Sequence, residues 1–235
     1  MNLLWEGVRE ALYLLATADS ATLRIALLSL AVSGTATLLA TLLGVPLGAM
    51  LALRRFPGRG FVTGVVNTGM GLPPVVVGLG VSLLLWRSGV LGPLALIYTP
   101  AAMVLAQFIV AAPLAAGLTR SAAAGLNPEI LEALRVDGAS ERLVAREALR
   151  AARPQVIVAV AAAFGRAIAE VGASLMVGGN ILNSTRIMTT AITLEVQRGE
   201  FARAIALGIL LLSLTFVVNL FLSRPAGSEV DAYSH

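Results

Sequence analysis

The sequence predicts an all-α integral membrane protein with about five membrane-spanning helices. Of its 235 residues, 57 % are hydrophobic and only 13 % are charged, and the mean hydropathy is +0.87. A soluble domain carries about a quarter charged residues. Because a soluble core cannot hide this much apolar surface, the excess must face lipid or neighbouring helices. Long uncharged runs separated by arginine-rich segments support the same conclusion, and one membrane domain accounts for the length.

Residues 1–20 are expected to form an amphipathic helix at the membrane interface. The segment contains Glu6 and Glu10 and has no basic start, so it is not typical of a cleaved signal peptide. One helical face carries only apolar side chains, namely Leu4, Val8, Leu12 and Leu15.

Five apolar stretches follow, each long enough to cross a hydrocarbon core of about 30 Å. The second contains the pair Pro73-Pro74, which predicts a kink or break, and the fourth carries Arg166 and Glu170. The predicted spans are 24–54, 59–87, 100–118, 154–176 and 204–222. Together they form a membrane domain over 21–224, which leaves 225–235 as a short cytoplasmic tail.

The arginines predict the orientation of these spans, because cytoplasmic loops carry an excess of basic residues. The first loop and the loop after span three are crowded with arginines: Arg54, Arg55, Arg59, Arg120, Arg135, Arg142, Arg146, Arg150 and Arg153. The loops on the opposite side hold only Arg87, Arg186, Arg198 and Arg203. We therefore expect the N-terminus outside and the C-terminus in the cytoplasm.

The composition also argues against several kinds of protein. The chain has no cysteine, all 17 basic residues are arginine, and the single histidine is His235. Disulfides, thiol catalysis and cysteine-ligated metals are excluded, and we expect no metal site. An intramembrane enzyme would need a nucleophile with a base, or metal ligands, within the predicted spans. Apart from the arginines at their ends, the predicted spans offer only Arg166 and Glu170 as ionisable residues, so an enzyme is not expected. The arginines are spread over loops, which is typical of orientation in a bilayer and not of nucleic-acid binding.

The charged loop from Arg120 to Arg153 predicts a short helix with defined ends. Asn127-Pro128 is a helix start, because asparagine caps free amides and proline suits the first position. Gly138 is the matching stop, and Ser140 caps a second helix that leads into span four. Two interpretations remain open: a solvated connector, or a rigid lever that receives motion from a soluble partner.

Within this loop, residues 132–138, with the sequence EALRVDG, resemble the cytoplasmic Glu-Ala-Ala…Gly loop of ABC importer permeases. In that family the loop forms a coupling helix that seats in a groove of the ATPase subunit. The resemblance implies that Glu132, Ala133, Asp137 and Gly138 mediate this coupling. Leu134 stands where the family pattern prefers alanine. The implied fold is that of a type I ABC importer permease.

Other segments are similar to the molybdate, sulfate and tungstate branch of these permeases. They are Leu72–Gly78, Phe164–Ala173, Val177–Ile181 and Thr185–Ile192, and the last two look most like tungstate permeases. The resemblance implies a homodimer in the inner membrane of a prokaryote that takes up an oxyanion. A separate ATPase subunit would bind ATP and magnesium, since a chain without lysine has no P-loop. An extracytoplasmic binding protein would deliver the anion. Molybdate or sulfate is the alternative substrate, and a stand-alone anion channel or secondary carrier is the alternative class.

The second and fourth spans supply the candidates for the translocation path, which are Pro73, Pro74, Arg166, Glu170 and Gly172. An ionisable residue within a span is costly to bury, so it should face a partner, a cavity or a dimer seam. Arg166 precedes Glu170 by four residues, so the two side chains share a helix face and can pair. Either Arg166 attracts the anion along the path, or the pair fixes span four structurally.

The segment after span four predicts an outer loop rich in glycine and hydroxyl groups. Its candidate contacts with the anion or with the binding protein are Asn180, Thr185, Thr189 and Thr190. Thr189-Thr190 is expected to begin a short helix, whose free amides, with Asn and Thr donors, can solvate a dianion briefly. The alternative is an ordinary turn that re-enters the membrane surface.

Overall fold

The computed structural model of the protein describes residues 2–223, and within that range every regular element is helical. The predicted tail over 225–235 lies outside the described residues. The helices are α1 (Asn2–Ala16), α2 (Ser20–Leu53), α3 (Arg59–Met70), α4 (Pro74–Leu85), α5 (Pro100–Ala124), α6 (Pro128–Val136), α7 (Glu141–Ala151), α8 (Arg153–Ile168), α9 (Gly172–Gly178), α10 (Met188–Gln197) and α11 (Phe201–Ser223).

Helices α2 and α5 form the centre of the bundle and run in the same direction. Ser33 of α2 meets Gln107 of α5, and further along α2 Gly48 lies against the backbone of Ala116. Glycine permits this approach, because a Cβ at position 48 would overlap the Ala116 carbonyl oxygen. Small residues bring membrane helices close enough for extensive packing contacts. The shared direction agrees with the prediction that these are spans one and three.

The second predicted span is broken, as its two prolines indicate. Helices α3 and α4 meet at 106° across the break. Pro73 lies outside α4, and Pro74 occupies the first position, where a missing amide hydrogen costs no helical hydrogen bond. By length and composition, three helices of the described part can cross a membrane, and up to five can if each bent pair is one span. The prediction of about five spans is therefore compatible with the fold.

The fourth span differs from the prediction of one helix over 154–176. Helix α8 ends at Ile168, and α9 restarts at Gly172. The interruption is stabilised locally, because the carboxylate of Glu170 accepts a hydrogen bond of 2.9 Å from the Ala173 amide. On its cytoplasmic side α8 is also bent by 77° from α7.

The two breaks lie side by side in the bundle. A Cβ on Gly172 would lie 2.9 Å from a methyl group of Val75, just after the proline break. One helical turn after Val75 in α4, a Cβ on Gly78 would lie 2.7 Å from the Ala173 Cα. Helices α4 and α9 therefore pack backbone to backbone. Their buried residues join α5 in the largest core cluster, which includes Val77, Val81, Met103 and Val177.

The N-terminal helix packs on the last helix and leaves its predicted apolar face outward. Gly7 lies against Ile205, and Ala11 and Leu14 form a small buried cluster with Ala206. The apolar face defined in the sequence, Leu4, Val8, Leu12 and Leu15, is exposed. This arrangement suits a helix that presents its outer face to lipid.

Candidate functional site: coupling helix, broken span and outer loop

The short helix α6 has the ends that the sequence predicts. At its start the side chain of Asn127 accepts a hydrogen bond of 3.0 Å from the Glu129 amide. At its end Gly138 adopts a φ of +83°, a left-handed conformation that favours glycine. The next helix is capped by Ser140, whose hydroxyl accepts a bond of 3.3 Å from the Leu143 amide. The chain therefore forms a defined angle between α6 and α7.

Helix α6 stands away from the bundle. None of its residues is buried, and the apolar side chains of Ile130 and Val136 are 61 % and 86 % exposed. The predicted coupling residues Glu132, Ala133, Asp137 and Gly138 are all exposed. Exposed apolar side chains on a capped helix indicate a surface that a partner covers.

One arginine joins α6 to the rest of the chain. Arg135 forms an ion pair with Glu141 of α7 at 3.0 Å, and it donates a hydrogen bond of 3.4 Å to the carbonyl oxygen of Leu53, the last residue of α2. Helix α7 is in turn anchored by the buried side chains of Val144 and Ala148. These contacts connect α6 to the end of α2 and, through α7, to α8.

Arg166 and Glu170 form an ion pair of 3.2 Å at the break of the fourth span. The pair does not lie along one helix as predicted, because α8 ends at Ile168 and Glu170 lies in the break. Glu170 is only 2 % exposed, whereas the Arg166 side chain is 33 % exposed. The carboxylate is thus bound on both sides: Arg166 takes one oxygen, and the Ala173 amide donates to the other.

The predicted path residues come together at the paired breaks. Gly172 lies two residues after Glu170 and packs against Val75, which directly follows Pro73 and Pro74 in the neighbouring segment. Beside the break the exposed face of α4 continues with the apolar side chains of Val75, Val76 and Leu79. The structure thus brings the five candidates into one region. Their role in the path stays a prediction.

The outer loop is organised around Asn180, which has a φ of +51°. Its side-chain amide donates a hydrogen bond of 3.3 Å to the Thr190 carbonyl oxygen. Arg186 donates from Nε to the Asn180 side-chain oxygen at 3.2 Å and from Nη2 to its carbonyl oxygen at 3.3 Å. Arg186, which the sequence suggested as part of a motif and as an outer-loop charge, therefore holds the loop closed.

The three threonines proposed for this loop are buried within the chain. The Thr185 hydroxyl donates to the Gly178 carbonyl oxygen and accepts a bond of 3.0 Å from the Ile181 amide. Thr189 donates to the Glu170 carbonyl oxygen at 3.0 Å, and Thr190 accepts from the Ile187 amide at 3.1 Å. Helix α10 begins at Met188, as predicted to within a residue. The hydroxyls tie the loop to the break, and their contact with a ligand stays a prediction.

A buried polar chain that the sequence analysis missed crosses three helices. The Ser33 hydroxyl donates to the Gln107 side-chain oxygen at 2.9 Å, and the Gln107 side-chain nitrogen donates to the Ser174 hydroxyl at 3.1 Å. All three residues are fully buried. The sequence feature that could have predicted this chain is Gln107, an amide side chain in the middle of an apolar span. Polar side chains in membrane helices form hydrogen bonds between helices.

The sequence is similar to those of known membrane transport proteins. The family model described as binding-protein-dependent transport system inner membrane component matches residues 44–224. A probable anion ABC transporter permease protein of Haloferax volcanii is 44 % identical over 196 residues, which is 81 % of this chain and 84 % of that protein. The tungstate uptake system permease protein TupB of Peptoclostridium acidaminophilum is 38 % identical over 219 residues, covering 93 % and 96 %.

Solved structures support the fold. The crystal structure of a bacterial ABC transporter involved in the import of the acidic polysaccharide alginate matches with a TM-score of 0.75. The match covers 92 % of this chain and 82 % of that chain, at 20 % sequence identity. At this identity the likeness concerns the fold, and it confirms the predicted architecture of an importer permease.

Proposed function

The chain belongs to the family of binding-protein-dependent transport system inner membrane components, and on that premise we propose that it is the permease subunit of an ATP-driven tungstate importer. ATP and magnesium bind to a separate ATPase subunit, and an extracytoplasmic binding protein delivers the anion. The observation that carries this proposal is helix α6, which is capped at both ends, has no buried residue and is joined to α2 and α7.

Helix α6 supplies the mechanical link. Its exposed Ile130 and Val136 give a docking helix the apolar contact that a groove of the ATPase would bury. Arg135 holds α6 against both α2 and α7, so α6 cannot rotate freely when the partner moves. The movement reaches α8 through the bend of 77°, and α8 ends at the break that holds Glu170. ATP-driven closure of the partner thus reaches the centre of the membrane domain.

The oxyanion is supported by similarity to an anion permease and to a tungstate permease. The chain's own contribution is the Arg166–Glu170 pair, which is neutral overall. A neutral pair with a partly exposed guanidinium group favours a passing dianion without holding it tightly. Selectivity among tungstate, molybdate and sulfate then resides mainly in the binding protein.

Assembly and orientation complete the proposal. The exposed apolar face of α4, with Val75, Val76 and Leu79, adjoins both breaks and suits contact with a second copy of the chain. A homodimer would place two sets of path residues around one axis. The crowded arginine loops favour an extracellular N-terminus and a cytoplasmic C-terminus.

Uptake in proteoliposomes tests this function. The chain is reconstituted with its ATPase and its binding protein, and labelled tungstate is offered against molybdate and sulfate. We expect ATP-dependent tungstate uptake that requires the binding protein. ATP-dependent uptake of molybdate or sulfate in preference to tungstate would refute the substrate. Uptake that persists without ATP would refute the class and favour a channel or secondary carrier.

A further inference from the structure

A groove of about 410 Å³ lies between the C-terminal end of α2 and the outer face of α7. Its floor is apolar, and three arginines stand at its rim. The lining residues are Pro46, Ala49, Met50, Arg54, Arg142, Ala145, Arg146 and Leu149. The coupling residues of α6 and the path residues of the broken span take no part in it, so the groove is distinct from the site described above.

Two of the three arginines at the rim have no counter-charge within the described chain, and the third has a weak one. The guanidinium groups of Arg54 and Arg142 form no hydrogen bond or ion pair with any residue in 2–223. Arg146 approaches Glu147 only to 3.8 Å, and its side chain is 70 % exposed. Arg142 and Arg146 are four residues apart on one helix face, where like charges destabilise a helix. An anion between the guanidinium groups would remove that repulsion.

The position of the groove identifies the kind of anion. Helix α7 is bent by 77° from α8, so it lies across the end of a span, on the side that the arginine distribution places in the cytoplasm. On α2, Leu42 and Leu43 are about 60 % exposed and lead from the apolar span towards Pro46 at the floor of the groove. A ligand with a charged head and a long apolar tail would fill both parts.

We propose that this groove binds an anionic phospholipid of the cytoplasmic leaflet. The phosphate group lies among Arg54, Arg142 and Arg146, and an acyl chain runs over Met50 and Leu149 towards the lipid-facing side of α2. Basic pockets at the cytoplasmic ends of membrane helices are suited to such headgroups. A free phosphate ion would satisfy the arginines but would leave the apolar floor uncovered. The bound lipid would brace α7, which carries motion from α6 to α8.

Native mass spectrometry of the permease–ATPase complex tests the proposal. The complex is titrated with phosphatidylglycerol or phosphatidylcholine in a neutral detergent. We expect selective binding of phosphatidylglycerol, and an Arg142→Gln/Arg146→Gln variant should weaken it about thirtyfold, which corresponds to about 2 kcal/mol. Arg142→Lys/Arg146→Lys should retain most of the binding. The matched control, Arg55→Gln/Arg87→Gln, removes two exposed charges outside the groove and should leave the affinity unchanged.

Four results would overturn the proposal. Equal losses in the two glutamine variants would mean that the net charge, and not the groove, attracts the lipid. Unchanged binding in Arg142→Gln/Arg146→Gln would exclude the groove directly. Displacement of phosphatidylglycerol by millimolar inorganic phosphate would assign a free-anion site. Dissociation of the ATPase from Arg142→Gln/Arg146→Gln, with no change in lipid binding, would assign this face to the partner subunit.

Discussion

Replacing Arg166 by glutamine should destabilise the protein more than replacing its partner, Glu170. Glu170 is 2 % exposed and lies 3.2 Å from the guanidinium group of Arg166. Without Arg166 the carboxylate keeps only the hydrogen bond from the Ala173 amide. A buried charge would then have lost its counter-charge. In Glu170→Gln, by contrast, the amide oxygen can still accept from Ala173, and Arg166 is a third exposed to begin with.

The exposure of the two side chains places the loss of unfolding free energy between two limits. Breaking a fully buried ion pair by removing one partner costs about 3–5 kcal/mol, whereas an exposed pair contributes about 0–1 kcal/mol. Because one partner is buried and the other is partly exposed, we expect about 2–3 kcal/mol for Arg166→Gln. Glu170→Gln should cost about 1 kcal/mol, the value of one lost charged hydrogen bond discounted for exposure. The double variant should be more stable than Arg166→Gln alone.

Thermal unfolding of the four proteins, each as a detergent-solubilised complex with the ATPase, measures this order. Uptake is measured on the same preparations. A stability of Arg166→Gln equal to that of the unmodified chain would refute the account of the pair. If Arg166→Gln stays folded and transports normally, Arg166 has no role in the path. If the double variant is folded but does not transport, the pair serves the path as well as the fold.

Substitutions of Gly48, Gln107 and Asp19 provide three further tests. Gly48→Ala should separate α2 from α5 and lower the free energy of unfolding by about 1–3 kcal/mol, because the new Cβ meets the Ala116 carbonyl oxygen. The control is Gly34→Ala on the same helix, where the new Cβ has open space, and it should be neutral or stabilising in thermal unfolding. Gln107→Leu should lower the unfolding free energy by about 1 kcal/mol, since it removes two buried hydrogen bonds between helices. Asp19 is the N-cap of α2, and its carboxylate accepts hydrogen bonds from the hydroxyl and the amide of Thr22, which hold the pKa of Asp19 below its ordinary value. The stability that this carboxylate contributes is present above the ordinary pKa of 3.8 and disappears as the pH falls through the lowered pKa. Asp19→Ala should abolish this acid-dependent stability and lower the free energy of unfolding by about 1 kcal/mol at neutral pH, while Asp19→Asn should keep most of the cap. An unchanged midpoint of acid unfolding in Asp19→Ala would contradict this reasoning.

Features that depend on neighbouring residues in the sequence were predictable. The ends of α6 follow from Asn127 and Gly138, and the first break follows from Pro73-Pro74, because caps and prolines act on the backbone within a few residues. The all-helical membrane class likewise follows from the apolar runs, and the importer fold follows from the resemblance of short motifs.

Features that depend on distant contacts were not predictable from the pattern. The second break has no proline; it is held by Glu170, whose carboxylate bonds to both Arg166 and the Ala173 amide. The spacing of four residues between Arg166 and Glu170 therefore suggested a continuous helix, although the helix is interrupted there. Thr185 and Thr189 were predicted as contacts with the anion or the binding protein, and nothing in the sequence pattern indicated that their hydroxyls bond to backbone carbonyls inside the bundle. Only the three-dimensional packing decides which polar groups remain free.

The geometry of α6 provides the most direct test of coupling. Gly138 and Gly58 share a φ of +83°, and at both positions an added Cβ would meet open space. Valine at either position therefore introduces the same kind of backbone strain, about 1–2 kcal/mol. The two positions differ in location: Gly138 ends α6, whereas Gly58 precedes α3.

The decisive measurement is ATP-driven tungstate uptake, with ATP hydrolysis recorded in parallel, for Gly138→Val and Gly58→Val in proteoliposomes. If α6 transmits the motion of the ATPase, Gly138→Val should reduce uptake per ATP hydrolysed at least about tenfold, or the variant should fail to retain the ATPase. A tenfold change corresponds to about 1.4 kcal/mol, which lies within the strain of about 1–2 kcal/mol expected at this position. Gly58→Val should transport normally. Equal uptake and equal hydrolysis in the two variants would contradict the assignment of α6 as the coupling helix.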